Sequence, residues 1–268
     1  MQSTTTGQNR TGAVSSATGT RAMMEASNEL TPPLALDLGA SKMQRARYIA
    51  ESDAVGSIPP PVTLKGMVKT GVARLGGSNL GVLLDKLGER IAFERAGVRL
   101  YEALITKYAA VSRMKDGELP AAVEVIISDN DEIPPPELPD EPASRTLQRI
   151  RAEELEHFRL LARAMESLGG DPTAQTPSAD VTATASMGLM QVVTDPRTTL
   201  AQCLNAMLTA ELTDNAGWEL LIELADEAGE AELTGQFLGA LAEEQEHLMI
   251  VKGWLTALVS ERSDTPAV

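Results

Sequence analysis

From Asn79 to about Met114, apolar residues return every third or fourth position: Leu80, Leu83, Leu84, Leu87, Ile91, Val98, Tyr101, Ile105 and Tyr108. That period predicts one long amphipathic helix. An acidic, proline-rich stretch, AAVEVIISDNDEIPPPELPDEP, then breaks the pattern, and VEVIIS within it fits a short strand. The helical period resumes from Ala143 to Leu168 and meets a stop at Gly169-Gly170-Asp171-Pro172. A linker rich in Thr, Ser, Ala and Pro follows, with MGLMQVV as a short helix. Asp195 as N-cap and Pro196 in the first turn open a third long helix, from about Arg197 to Ala228. Gly229 interrupts it, and a fourth runs from about Glu230 to Ser260. Four long helices predict an all-α protein built on a four-helix bundle.

The chain before the bundle reads differently. Residues 1–30 are small, polar and aperiodic, which predicts disorder. Residues 31–77 read as an N-terminal arm. It holds one helix in SKMQRARYIAESDAV, an extended SIPPPVTL, and a weakly helical LKGMVKTGVARLGG. The arm is expected to pack on the main domain, 78–262, which carries a loop insertion at about 115–143.

Composition narrows the functions this bundle can have. Hydrophobic residues make up 43% of the 268, enough for a core, but aromatic residues only 3%. That balance suits helices packed through aliphatic side chains. A net charge of −15 and a pI near 4.6 repel phosphate backbones and argue against a nucleic-acid partner. A single cysteine, Cys203, excludes an internal disulfide framework, a cysteine zinc site and a cysteine-bound iron–sulfur cluster. Its expected place is in the core. The N-terminus lacks the apolar region of a secretory signal, and no run of about 18 apolar residues predicts a membrane span. A cytoplasmic location is the expectation.

Only two histidines occur, and each ends a copy of one hexapeptide: AEELEH, Ala152 to His157, and AEEQEH, Ala242 to His247. Glu154 with His157, and Glu244 with His247, stand three apart on a helix, so both side chains of each pair can reach one point. The repeat extends to the preceding helices. FERAGVRLYEALI aligns with AELTDNAGWELLI, pairing Glu94 with Glu211 and Tyr101 with Trp218. Each half thus offers one inward glutamate with an aromatic ring two turns along. From Glu94 to Glu154 is 60 residues, and from Glu211 to Glu244 is 33, so the surplus matches the proline-rich insertion.

On these residues the chain resembles the ferritin-like superfamily of bacterioferritin, rubrerythrin and other di-iron carboxylate proteins. The likeness covers roughly residues 79–260. One Glu from each of two helices and Glu-x-x-His from each of the other two is the ligand set of that class. The resemblance implies a ferritin-like bundle of two pseudo-symmetric helical hairpins. It implies a metal site of Glu94, Glu154, His157, Glu211, Glu244 and His247, in which Glu154 and Glu244 bridge. It also implies two iron ions, or manganese, and an oxidoreductase of the ferroxidase or oxidase type. O2 or peroxide would be the oxidant, with iron(II) or an unknown reductant supplying electrons. The same six ligands would carry the catalysis, with Tyr101 and Trp218 as neighbours that shield the site, relay electrons or pack the core. Four carboxylates and two imidazoles are a donor set suited to these metals rather than to copper(I). Without cations, four buried glutamates would repel one another. The arm and the insertion are foreign to cage-forming ferritins and argue against a 24-subunit cage, leaving a smaller homo-oligomer open. Two other readings stand beside the oxidase: a non-enzymatic metal-binding module with a structural or partner-binding role, and a hydroxylase fed by an apolar channel.

Residues around the ligands are expected to do less. Glu153, Glu156, Glu243 and Glu246 sit one position off the ligands, about 100° around the helix, which points to solvated faces, with support of the ligands or metal entry as the alternative. Asp214, three after Glu211, is a candidate partner for a ligand imidazole, although its counterpart in the first half is Gly97.

Overall fold

A computed structural model describes residues 16–31, 38–53, 55, 80–114, 119–125 and 138–263. All regular structure among them is helical. Residues 1–54 form one unit and residues 55–268 another.

The first unit holds α1 (Ala17–Leu30) and α2 (Gly39–Glu51). The disorder expected over 1–30 does not hold for Ala17–Leu30. Ser16 caps this helix, its hydroxyl accepting from Gly19 N at 3.1 Å, and the Ala, Met and Glu that follow are strong helix formers. Neither α1 nor α2 has a buried residue. The helix expected in SKMQRARYIAESDAV is α2, while SIPPPVTL and LKGMVKTGVARLGG lie outside the described residues.

The second unit holds the bundle: α3 (Leu80–Val111, extended by a 3-10 turn at Ser112–Met114), a short α4 (Ala122–Val125), α5 (Ala143–Ser167), α6 (Pro177–Thr194), α7 (Leu200–Glu227) and α8 (Ala231–Ser263). α3 packs on α5 and α7 on α8, giving two hairpins. α3 also meets α7, and α5 meets α8 more sparsely. The apolar residues of the long helices face inward as the period predicts. They fall into two clusters at opposite ends of the bundle. One gathers Leu104, Tyr108, Leu147, Ile150, Leu204 and Trp254; the other gathers Leu83, Leu87, Leu161, Leu168, Trp218 and Phe237. A layer of buried polar groups lies between them.

Three boundaries differ from the sequence expectation. VEVIIS does not begin as a strand, since Ala122–Val125 is helical. The short helix Ala122–Val125 rests on α8, and Trp254 Nε1 donates to the Pro120 carbonyl just before it at 2.9 Å. The linker after Asp171 is largely α6, far longer than MGLMQVV. Its start is tied to α3: Thr176 Oγ1 donates to the Asp85 carbonyl at 2.9 Å, and the Asp85 carboxylate accepts from Ser178 N at 3.0 Å and Oγ at 2.6 Å. Lys107 ties its end, donating to the carbonyls of Asp195 at 2.5 Å and Thr198 at 3.1 Å. Asp195 is therefore the C-cap of α6 rather than the N-cap of α7. α7 starts later, in a capping box: Gln202 N donates to Thr199 Oγ1 at 3.3 Å, and Thr199 N to Gln202 Oε1 at 2.8 Å. Gly229, at φ 74°, makes the tight reversal into α8.

Candidate metal centre

The polar layer contains all six residues of the expected set. α3 supplies Glu94, α5 supplies Glu154 and His157, α7 supplies Glu211, and α8 supplies Glu244 and His247; every one is buried. Their ligand atoms converge in overlapping groups. Glu154, Glu211, Glu244 and His247 bring one atom each within 4.8 Å of one another, and so do Glu94, His157 and Glu244. Glu244 belongs to both groups. Glu154 also comes within 4.8 Å of Glu94 and Glu244 in a further group that includes Asp214. The geometry thus offers two adjacent positions. We call them the Glu211 position, with His247, and the Glu94 position, with His157. Glu154 and Glu244 lie between them.

Several ligand atoms have no hydrogen-bond partner despite burial: Glu94 Oε2, Glu154 Oε2, Glu211 Oε2, Glu244 Oε1 and His157 Nδ1. A protein interior rarely leaves such groups unmatched. His157 Nδ1 and Glu244 Oε1 face each other at 2.6 Å without hydrogen-bond geometry. Two donors turned toward one cation would sit this way.

The electrostatics carry the same message. Burial raises the Glu94 and Glu211 carboxyls well above the ordinary carboxylate range, and neighbouring carboxylates push them further. Burial also raises Glu154, and Glu244 beside it adds to the effect. Glu244 goes the other way: burial opposes its charge, but the two imidazoles outweigh burial and hold it low. Burial disfavours the charged His157 ring, yet Glu243 and Glu244 push it up to about 9. His247 is raised well above its ordinary value, with Glu244, Glu153 and Glu154 overcoming burial. Protons on the histidines thus do part of the neutralising that cations would do.

Each ring turns Nδ1 inward and Nε2 outward. His157 Nε2 meets Glu243 Oε2 at 2.8 Å, and His247 Nε2 meets Glu153 Oε2 at 3.0 Å. The arrangement is crossed: the glutamate of one hexapeptide holds the histidine of the other. Donation from Nε2–H leaves the Nδ1 lone pair free for a cation. Glu153 and Glu243 are therefore not simply solvated faces. Sequence reasoning weighed them along their own helices, and only packing of α5 against α8 reveals their partners. Glu156 is exposed and pairs with Arg159 at 2.5 Å, as a solvated residue would.

Tyr101 donates to Glu211 Oε1 at 2.5 Å and stands edge-on to His247, ring centroids 6.4 Å apart. Trp218 is edge-on to His157 at 5.5 Å and to Phe237 at 5.6 Å. Both are buried and close off the layer. Asp214 does not reach an imidazole; it pairs with Arg90, whose Nη2 also lies 3.4 Å from Glu94 Oε1. Arg90 stacks over Phe93, 4.3 Å from the ring centroid. Sequence reasoning missed Arg90, although it sits four before Glu94, on the apolar stripe between Leu87 and Ile91. Gly97 has a steric role. A Cβ there would stand 3.0 Å from Glu154 Cδ and nearer still to its Oε2.

The sequence model of the Ferritin-like domain matches residues 141–259, which include five of the six convergent residues. No curated protein and no solved structure matches the chain. Among the described residues no helix is long and apolar enough to cross a membrane.

Proposed function

Because the chain is a member of the ferritin-like superfamily and gathers four glutamates and two histidines at one buried point, we propose that it is a di-iron oxidoreductase of the ferroxidase or oxidase type. One observation carries this reading: Glu244 belongs to both ligand groups, which is what a bridging carboxylate between two cations requires. Two bound iron(II) ions would supply one electron each to O2 or peroxide, and manganese suits the same donors. Glu94 and Glu211 close the two ends of the site, and Glu154 and Glu244 span it. Glu153 and Glu243 fix the imidazole tautomers. Tyr101, Trp218 and Phe237 keep bulk water out. Neither the pocket of about 250 Å³ beside Tyr108 and Leu147 nor that of about 530 Å³ along α1 is lined by a ligand residue, so neither supports an apolar substrate channel to the centre.

The test is anaerobic loading of purified protein with iron(II), metal analysis, and O2 uptake. Two ions per chain followed by rapid O2 consumption are expected. Failure to bind iron, or two bound ions inert to O2 and peroxide, overturns the oxidoreductase. The exposed α1 and α2, with Met23, Met24, Met43 and Ile49 outward, favour the second reading, a metal-braced module that binds a partner. Inert metal combined with metal-dependent stability would support it.

A further inference from the structure

The two halves of the centre are near-copies, but their surroundings are not. Counting from each ligand glutamate, Arg90 corresponds to Met207, and Arg149 corresponds to Gly239. The first half therefore has two arginines that the second lacks, and through the crossed packing each acts on a different one of the two positions.

Arg90 sits at the Glu94 position. It is buried, pairs with Asp214, and approaches Glu94 Oε1 at 3.4 Å. Asp214 matches its charge, but the guanidinium still shares a Glu94 oxygen that an incoming ion would otherwise take. At the Glu211 position the equivalent contact is neutral, the Tyr101 hydroxyl at 2.5 Å. Gly217 preserves this arrangement, because a Cβ there would stand 2.9 Å from Arg90 Cδ.

Arg149 sits behind the other histidine. It holds both oxygens of Glu153, at 3.0 and 3.1 Å, and reaches Glu141 at 3.1 Å and Glu246 at 2.8 Å. Glu153 is thereby fixed against His247, with 25% of its side chain exposed. Glu243, which holds His157, is 52% exposed and has no arginine or lysine partner among the described residues. A carboxylate that is not itself anchored holds its imidazole less firmly, although it sets the same tautomer.

Both differences point the same way. We propose that the two metal positions fill in order, the Glu211 position first and tightly, the Glu94 position second and exchangeably, with Glu243 at the exchange face. Arg90 and Arg149 are the positioning residues that set this order. The inference rests on the metal-binding reading above.

The experiment is calorimetric titration of chelator-treated, full-length protein with cobalt(II), without O2. Two steps are expected, separated by about tenfold or more, the scale on which outer partners of metal ligands act. Glu94→Ala should keep the tight step and lose the weak one, and Glu211→Ala should lose the tight one. Arg149→Gln should weaken the tight step by about tenfold and leave the weak step in place, with Arg149→Lys restoring part of the loss. Indistinguishable constants, or loss of the tight step in Glu94→Ala, overturns the order while leaving the metal centre standing. No cobalt binding at all overturns the metal centre and the order with it.

Discussion

Replacing Gly97 with alanine separates what the fold needs from what the metal centre needs. Gly97 lies inside α3, where glycine costs about 0.5–1 kcal/mol relative to alanine. The added Cβ would meet Glu154 Cδ at 3.0 Å, and ordinary contact starts at 3.4 Å. The obstacle is the far end of a flexible side chain, so the carboxylate can swing away with the backbone in place. It must retreat by more than the roughly 0.2 Å that metal–ligand distances tolerate. Without metal, the variant should melt at or above the parent, by up to about 4 °C for a domain of this size. With metal it should gain less. A tenfold loss of affinity removes about 1.4 kcal/mol of ligand stabilisation. At about 2–4 °C per kcal/mol, the metal-dependent rise in Tm shrinks by about 3–6 °C. Calorimetric melts in chelator and in saturating manganese(II) measure both quantities. A variant that melts well below the parent in chelator yet keeps the full metal-dependent rise would refute the reasoning. Gly97 would then serve backbone packing rather than the Glu154 carboxylate.

Other expectations follow from the same groups. His157, pushed up to about 9, stabilises the metal-free fold fully below its ordinary value of 6.5, and this contribution is lost as pH rises through 9. Metal-free melts should therefore decline from pH 6.5 to 9, while metal affinity rises over the same window and loading at pH 7 releases protons; loading without proton release would contradict the assignment. Asp85 is opposite in sign: burial opposes its charge, but the bonds from Ser178 and Thr176 hold it below 3.8. Its contribution is present above 3.8 and lost as pH falls through the depressed folded value, so Asp85→Asn should flatten the acid limb of the stability curve. Thr199→Ala removes the capping box of α7 and should cost about 1 kcal/mol in denaturant unfolding, with no change in metal stoichiometry.

The long helices and the six-residue cluster were legible because both rest on local spacing. A 3.6 period fixes the inward face, and Glu-x-x-His on that face needs no tertiary knowledge. α6 was not legible, because its helix is held by Asp85 and Lys107, residues far away in sequence, and buries only Ala179 and Val193. Asp195-Pro196 has the look of a helix start, but Lys107 and the capping box at Thr199 move the start onward. Arg90 was overlooked because a search for apolar recurrence passes over a charged residue on the stripe. Its signal was there in the distance of four from Glu94. The crossed supports Glu153 and Glu243 were hidden for another reason: each serves a histidine on a different helix.

The polar layer also divides the interior. In an uninterrupted core, all four helices depend on the same apolar cluster and open together. Here the Leu83–Phe237 cluster and the Leu147–Trp254 cluster are separate, and the helices join them through charged groups that oppose burial. Stripped of cations, each end becomes its own cooperative unit, and one can open while the other persists. Bound cations would rivet the two units into one. Amide exchange along α3 would then show a single protection level in the loaded protein and a step near Glu94 in the stripped one. The layer that gathers the six glutamate and histidine side chains would also set how many pieces the protein unfolds in.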